Sequence, residues 1–289
     1  MHGLPLSGVF SEQKPMQTRI GRVFRMKRSW CRKAAIVAFL PFVHGQDKPG
    51  RLTFEVMSIK PWKPGQPGSG ITTLPGGQEY RARGAAMIGM IQTIYRILIP
   101  QISGGPDWIK TERWNVDAKA DHGGYSLDQL HEMFKNVLAD RFQLKFHWET
   151  REGPVYLLTI DKPGLKMKVN HNPEPIKGGV PIAGDPTSPD GTVGHGVAME
   201  YLTWWLGQRL QQEGRPVIDR TGLDGYYDFK LAYAAELAPD FPGDSAPAGG
   251  MDRPGIFQAV REQLGLRLEL QKGPVGHFVI DSVERPITN

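Results

Sequence analysis

Cysteine is almost absent from this chain of 289 residues. The single cysteine, Cys31, lies near the amino terminus, and no other follows it. The chain beyond residue 45 therefore forms no disulfide and has no thiol nucleophile, even in an oxidising compartment. We expect its stability to come from the hydrophobic core alone.

Motifs for metals, phosphates and nucleophilic catalysis are missing as well. No two histidines lie four residues apart, and His131–Glu132, which begins like a zinc-binding helix, is followed by Lys135 where the second histidine belongs. The chain has neither a GxxxxGK[ST] loop nor a GxGxxG turn. Ser245 follows Gly243 and Asp244 in a loop-like stretch without a positioned base. The sequence therefore predicts no metal, no cofactor and no nucleophilic serine.

No apolar run is long enough to cross a membrane. The run from Ala34 to Val43 has ten residues, whereas a transmembrane helix needs about 20. It follows a basic stretch, Met26 to Lys33, and precedes Gly45, which is typical of a secretory signal peptide. We therefore predict that residues 1–45 are a leader and that Met26 is the true start. The mature chain is expected to begin near Gln46 and to be exported, periplasmic or extracellular, with no stable membrane span.

The positive net charge is confined to this leader. The whole chain carries a formal charge of +5, but residues 1–45 hold eight Lys and Arg against one acid. The rest has 27 basic and 29 acidic residues, a net charge of −2. A general affinity for polyanions is therefore not indicated, and we predict no nucleic-acid partner.

Four segments carry apolar residues at helical spacing, on one face of a helix. These stripes are Met87, Met90, Ile94 and Leu98; Leu127, Leu130, Phe134 and Leu138; Met199, Leu202, Leu206 and Leu210; and Phe257, Val260 and Leu264. Ser126 and Gln129 have the spacing of a capping box at the start of the second stripe. The pattern predicts helices near 87–98, 127–139, 199–211 and 256–264.

Alternating apolar residues follow the helices. One such run, 142–148, leads through a turn-like stretch at 150–154 into a second apolar run, 155–160. A similar pair after residue 216 flanks a turn at 221–225. We therefore predict an α+β fold of four helix-strand-strand units, an internal repeat, with antiparallel sheets and the helices packed on one face.

A stretch rich in proline and glycine divides the mature chain. It runs through residues 166–194 and has the composition of a linker. We predict a first α+β half at 46–165 and a second at 195–289.

Five stretches of the mature chain resemble a known family. They are FEVMSIKP, GGPDWIKTERWNVDAKA, DRFQLKFHWETREGPVYLLTI, PVIDRTGLDGYYDFKL and EQLGLRLELQKGPVGHFVIDSVERP. The family is the large paralogous group of secreted domains of unknown function from Solibacter-type acidobacteria, which has no assigned catalytic residues. In some proteins, domains that look related are attached to BlaR-type membrane metallopeptidases on the extracytoplasmic side. The resemblance therefore implies sensing or binding, by association only.

The candidate site residues are an acidic cluster and one tryptophan. Asp219, Asp224 and Asp228 lie near Arg220 around the turn predicted at 221–225. Paired carboxylates can perform acid–base catalysis, although a turn rich in Asp and Gly is ordinarily structural. Trp204 lies beside the apolar stripe of the third helix, either packed there or anchoring a partner.

These observations favour an exported, non-catalytic protein that binds or senses an extracytoplasmic ligand or protein. Two alternatives stay open. One is a hydrolase that acts on envelope material through the carboxylates of the acidic cluster. The other is a structural or adhesive protein of the envelope. A convergent acidic pair in a pocket would favour the hydrolase, whereas an apolar groove or open sheet edge would favour binding.

Overall fold

The computed structural model describes residues 50–66, 70–162, 164–173, 179–210, 214–234 and 253–287. The predicted leader lies outside these ranges. The described residues belong to one compact unit. The boundary predicted at 166–194 stays a prediction, and the described part of that stretch contains short strands.

Helices are interspersed among groups of one to four strands along the chain. The strands are β1 (Val56–Pro61), β2 (Gly70–Thr73), β3 (Glu79–Ala86), β4 (Ile102–Gly104), β5 (Arg113–Lys119), β6 (Lys145–Ile160), β7 (Lys168–Asn170), β8 (Ile182–Ala183), β9 (Thr192–Ala198), β10 (Val217–Asp219), β11 (Tyr226–Leu231) and β12 (Leu266–Ser282). The helices are α1 (Met87–Ile94), α2 (Trp108–Thr111), α3 (Leu127–Arg141), α4 (Met199–Arg209) and α5 (Ile256–Ala259), with a π-helical turn at Val260–Leu264 and a 3₁₀ turn at Ile99–Gln101. The predicted α+β class is confirmed.

Helices are present at all four predicted places, although α1 ends at Ile94 rather than at residue 98, and the fourth is the short α5 followed by the π-helical turn. The residues of the predicted stripes are buried, except Phe257, which is exposed. The capping box of α3 is present: Gln129 N–H donates to Ser126 Oγ at 3.2 Å, and Ser126 N–H donates to Gln129 Oε1 at 2.9 Å. Both bonds satisfy backbone or side-chain groups that a bare helix end leaves free.

Two four-stranded sheets are antiparallel and have matching strand orders. The first is β1-β5-β3-β2, and the second is β7-β11-β9-β8. In each, the strand before a helix is central: β3 leads into α1, and β9 leads into α4. The two segments of the chain, 56–160 and 168–282, thus place corresponding elements in the same order.

The middle sheet has the order β10-β6-β12-β4 and joins the two segments. β6 and β12 pair antiparallel over their whole lengths, from Leu266 opposite Ile160 to Ser282 opposite Lys145. β4 pairs parallel with β12, and β10 pairs parallel with β6, so each segment gives an edge strand to the other. The prediction of antiparallel pairing alone therefore misses these two parallel pairs.

The hairpin predicted at residues 150–154 is wrong, because β6 continues through them as one strand. Gly153 and Gly273 lie directly opposite each other, and a Cβ on either would lie within 3.2 Å of a methyl group of Val275 or Val155. Glycine thus permits close packing across the strands there and does not form a turn. Pro154 and Pro274 follow these glycines. Neither lies in the part of its strand that also pairs with an edge strand, so the N–H that proline lacks is not needed for a hydrogen bond to β10 or β4.

The pairing predicted after residue 216 is also wrong. β10 and β11 flank the turn but belong to different sheets. The alternation within β11 is nevertheless correct, since Tyr227, Phe229 and Leu231 are buried.

Two hydrophobic clusters hold these layers together. One joins α1 and α3 to the first sheet and includes Phe278 and Ile280 from β12. The other joins α4 and α5 to the second antiparallel sheet and includes Tyr156 and Leu158 from β6. The exchange of strands thus gives each cluster buried residues from the other segment.

Candidate functional site

Arg96 follows α1 in a backbone conformation that side chains rarely adopt. Its φ is +51°, in the left-handed region. Ile97 N–H donates to the carbonyl of Gln92 at 3.1 Å, which is the closing bond of a Schellman motif. Glycine is the usual residue at this position, because a Cβ there costs energy. An arginine at this position suggests that its side chain has a use.

The Arg96 side chain is largely buried between three helices. It is 14% exposed and forms ion pairs with Asp128 of α3 and, at 3.5 Å, with Glu200 of α4. Its guanidinium carbon lies 5.3 Å from the centre of the Tyr201 ring, a cation–π contact. Both acids are mostly solvent-exposed, at 72% and 80%. The guanidinium of Arg96 thus packs against the Tyr201 ring on its buried side, and exposed carboxylates lie between it and the solvent.

Three neighbouring cavities meet at Arg96. One, of about 220 Å³, also contacts Trp204, Glu200, Val217 and Val275. The second and third, each about 240 Å³, lie toward Tyr226 and Asp128 and toward His131 and Glu132. We call these three spaces together the Arg96 cleft. It combines apolar walls with several ionic groups, which suits a ligand that has both charged and apolar parts.

Corresponding positions in α1 and α4 show what is unusual about this cleft. Gly84 and Gly196 both have φ near +55° and precede Met87 and Met199 by the same distance, which aligns the two helices. In this alignment Gln92 matches Trp204, and Gln208 matches Arg96. Gln92 donates a hydrogen bond to Gln208 at 2.8 Å. Arg96 Nε and Trp204 Nε1, by contrast, are two buried donors, and neither has a partner within the described residues.

A neutral histidine, His131, and a buried tyrosine, Tyr201, line the cleft. Burial, and then repulsion from Arg96, lowers the pKa of His131 to about 3. The ring packs edge-on against Tyr80, with centroids 5.8 Å apart. Burial also raises the pKa of Tyr201 to about 12, despite the opposing effect of Arg96. At neutral pH these groups are uncharged, so the positive charge of the cleft comes from Arg96 and, on the side of His131, from Lys135.

The predicted acidic cluster is spread over two sheets. Asp219 ends β10, where its Oδ1 accepts from the N–H and hydroxyl of Thr221 at 2.8 and 2.7 Å. Asp224 and Arg220 are exposed in the connection to β11. Asp228 lies within β11 in the other sheet. Trp204 alone among the candidate residues lines the Arg96 cleft.

Asp228 accepts a structural hydrogen bond that has a counterpart in the first sheet. Its Oδ1 accepts from Gly196 N–H at 2.7 Å, as Asn115 Oδ1 accepts from Gly84 N–H at 2.9 Å. Burial raises the pKa of Asp228, but the hydrogen bonds from Gly196 and Asn170 outweigh it, and the pKa lies below its ordinary value. The carboxylate thus stabilises the bend before α4, as the amide of Asn115 does before α1.

Sequence patterns did not identify Arg96. The residue lies within the predicted stripe, between Ile94 and Leu98, and no glycine marks the end of its helix. The signal that finds it is conformational, a positive φ on an arginine. The described residues bring together no group of three potential metal ligands.

The fold and the cleft define an α+β protein with a small ionic cleft where three helices meet. The chain belongs to the family described as Protein of unknown function (DUF3738), whose model matches residues 88–283, about two thirds of the sequence. Searches among curated proteins and among solved structures gave no match. None of the described helices has the length and apolar character needed to traverse a bilayer.

Proposed function

We propose that this is an exported, non-catalytic binding or sensing protein, and that its ligand is recognised in the Arg96 cleft. The observation that carries the proposal is the pair of buried donors, Arg96 Nε and Trp204 Nε1, beside the same cavity. An unpaired buried donor costs roughly 1–3 kcal/mol. A ligand oxygen that accepts from either donor, after a small side-chain movement, recovers that energy.

The rim of the cleft indicates the rest of the ligand. Asp128 and Glu200 are exposed carboxylates within reach of Arg96. A ligand that places a carboxylate or carbonyl oxygen inside the cleft and an amine beside the carboxylates of the rim would be an amino acid or a short peptide. The peptide portions of envelope material have this chemistry, which agrees with the predicted export.

The hydrolase alternative depends on Asp219 and Asp228. Each carboxylate already accepts hydrogen bonds that shape its own sheet, and the two belong to different sheets. This arrangement favours structural roles over a shared catalytic role. The third alternative, a structural or adhesive envelope protein, requires no cleft and has no specific contact in its favour.

A single substitution separates binding from folding. Replacing Arg96 with Gly removes the guanidinium but relieves the positive φ, so we expect the unfolding free energy to change by less than about 1 kcal/mol. Calorimetric titration should cover tripeptides with free and amidated carboxyl termini, peptidoglycan fragments and glycans. Binding of a free-carboxylate peptide should weaken at least about tenfold in Arg96→Gly, which is roughly 1.4 kcal/mol.

The matched control is Arg220→Gln, an exposed arginine outside the cleft, which should bind like the wild type. Unchanged binding by Arg96→Gly would contradict the proposal. The same samples should be assayed for turnover. Turnover that is abolished by Asp219→Asn or Asp228→Asn, but not by Asp224→Asn, with folding intact, would establish the hydrolase instead.

Export has its own test. The basic stretch and ten-residue apolar run of the leader suit the secretion machinery. Amino-terminal sequencing of the secreted protein should begin near Gln46. A full-length protein retained in the cytoplasm would refute export but would leave the cleft proposal standing.

A further inference from the structure

A cavity of about 560 Å³, separate from the Arg96 cleft, lies where β12 begins. Its charged lining comprises four cations, Lys162, Lys166, Arg261 and Arg267, and two acids, Asp161 and Glu262. None of these residues lines the Arg96 cleft. The cavity is therefore a separate site with an excess of positive charge.

The two acids are already engaged by protein groups. Asp161 is 9% exposed and accepts from Arg261 Nε at 2.7 Å. Glu262 Oε1 accepts from Gln258 Nε2 at 2.8 Å. Within the described residues, Lys162 Nζ and the two terminal nitrogens of Arg261 donate no hydrogen bond. These donors are free to bind an anion, and Asp161 holds the arginine in place for it.

Apolar side chains also line this cavity. Phe257 and Leu268 line the cavity, and Phe257 is 37% exposed. The Phe257 ring packs against Tyr156, with centroids 5.3 Å apart. Leu270, which is 54% exposed, lies directly opposite Tyr156 on the neighbouring strand. An exposed apolar strip therefore extends out of the basic cavity along the middle sheet.

Arg261 lies on an irregular helix. The π-helical turn Val260–Leu264 replaces the last turn before β12, whereas the helix before β6, α3, has no such turn. Such widened turns occur frequently at functional sites. The π-helical turn that carries Arg261 thus has no counterpart in the first segment of the chain.

We propose that this cavity binds an amphiphilic anion. Its phosphate or carboxylate head contacts Lys162 and Arg261, and its apolar chain lies on Phe257, Leu268 and Leu270. The volume falls within the range of about 300–1,000 Å³ that is usual for small-molecule sites. A soluble amphiphile and an anionic membrane lipid present the same chemistry.

Decyl phosphate, kept below its micelle concentration, is the test ligand. Calorimetric titration should show binding that falls at least tenfold in the double variant Lys162→Gln/Arg261→Gln and in Phe257→Ala. Lys230→Gln, an exposed lysine on β11, is the matched control and should bind normally. Arg96→Gly should also bind normally, which separates this site from the proposed function. Cosedimentation with phosphatidylglycerol and phosphatidylcholine vesicles shows whether the head group also comes from a lipid surface.

Three results would overturn the proposal. One is that neither decyl phosphate nor phosphatidylglycerol vesicles bind. Another is that the double variant, confirmed as folded by circular dichroism, binds as the wild type does. If the double variant is unfolded, Lys162→Glu at an exposed position replaces it in this test. The last is that inorganic phosphate binds as tightly as decyl phosphate, which would leave the apolar wall without a role.

Discussion

Phe134 is fully buried at the centre of the first hydrophobic cluster. Its ring lies 4.8 Å from that of Tyr80. Replacing it with alanine removes a large side chain from a fully buried site and leaves a cavity, so we expect Phe134→Ala to lose about 3–5 kcal/mol of unfolding free energy. Urea denaturation measures this loss. Glu132→Ala, on the exposed side of the same helix, should change stability by no more than about 0.5 kcal/mol.

His131 makes stability depend on pH. Its pKa is lowered from 6.5 to about 3, chiefly by burial. Between these values the unfolded chain binds a proton that the folded chain does not, so this group destabilises the fold as the pH falls through the window. Well below pH 6.5, we expect a loss of up to about 1.4 kcal/mol per pH unit from this group.

The variant His131→Leu lacks this titration. Urea denaturation at about pH 7 and about pH 5 should show the variant losing less stability than the wild type as the pH falls. Parallel loss in both proteins would mean that His131 becomes protonated in the folded state.

The residue scale also shows what sequence patterns can and cannot predict. Phe134 and the Ser126 capping box follow from spacing within one helix, and both are confirmed. The importance of Arg96 depends on a backbone angle and on partners in α3 and α4, far away in the chain. No local pattern records those partners.

At the scale of elements, two glycines have opposite expectations. A Cβ at Gly194 in β9 would lie 2.5 Å from the buried Phe229 ring on the neighbouring strand. We expect Gly194→Ala to destabilise the fold by roughly 1–3 kcal/mol through this overlap. Gly89 in α1 has nothing within 4 Å of such a Cβ, and Gly89→Ala should stabilise by about 1 kcal/mol through helix propensity. Thermal or urea unfolding of both variants decides, and loss of stability in both would contradict this account.

The helices could be predicted because their period is local, whereas the strand partners could not. Gly153 and Pro154 are typical of a turn when only the neighbouring residues are considered. Their actual surroundings include Gly273, Val275 and Lys272, which are more than a hundred residues away. The cross-strand contacts that favour glycine at this position do not appear in the neighbouring sequence. The hairpin was therefore the natural but wrong interpretation.

At the scale of the whole molecule, the exchanged edge strands make the two segments interdependent. β4 pairs with β12, and β10 pairs with β6. Fragments comprising residues 50–165 and 166–287 would each expose one long strand and lose part of a hydrophobic cluster. We expect neither fragment to unfold cooperatively alone and an equimolar mixture to recover native circular dichroism. A fragment that folds alone would instead support independent halves.

The pairing of β6 with β12 in the middle sheet has a consequence for folding kinetics. In quaternary terms, the middle sheet has the pattern of an isologous dimer interface, in which each subunit lends its partner an edge strand. In a dimer, that association would depend on protein concentration. Here both strands belong to one chain, and covalent connection makes their meeting a first-order event. The folding rate and midpoint of the protein should therefore be the same in dilute and concentrated solution.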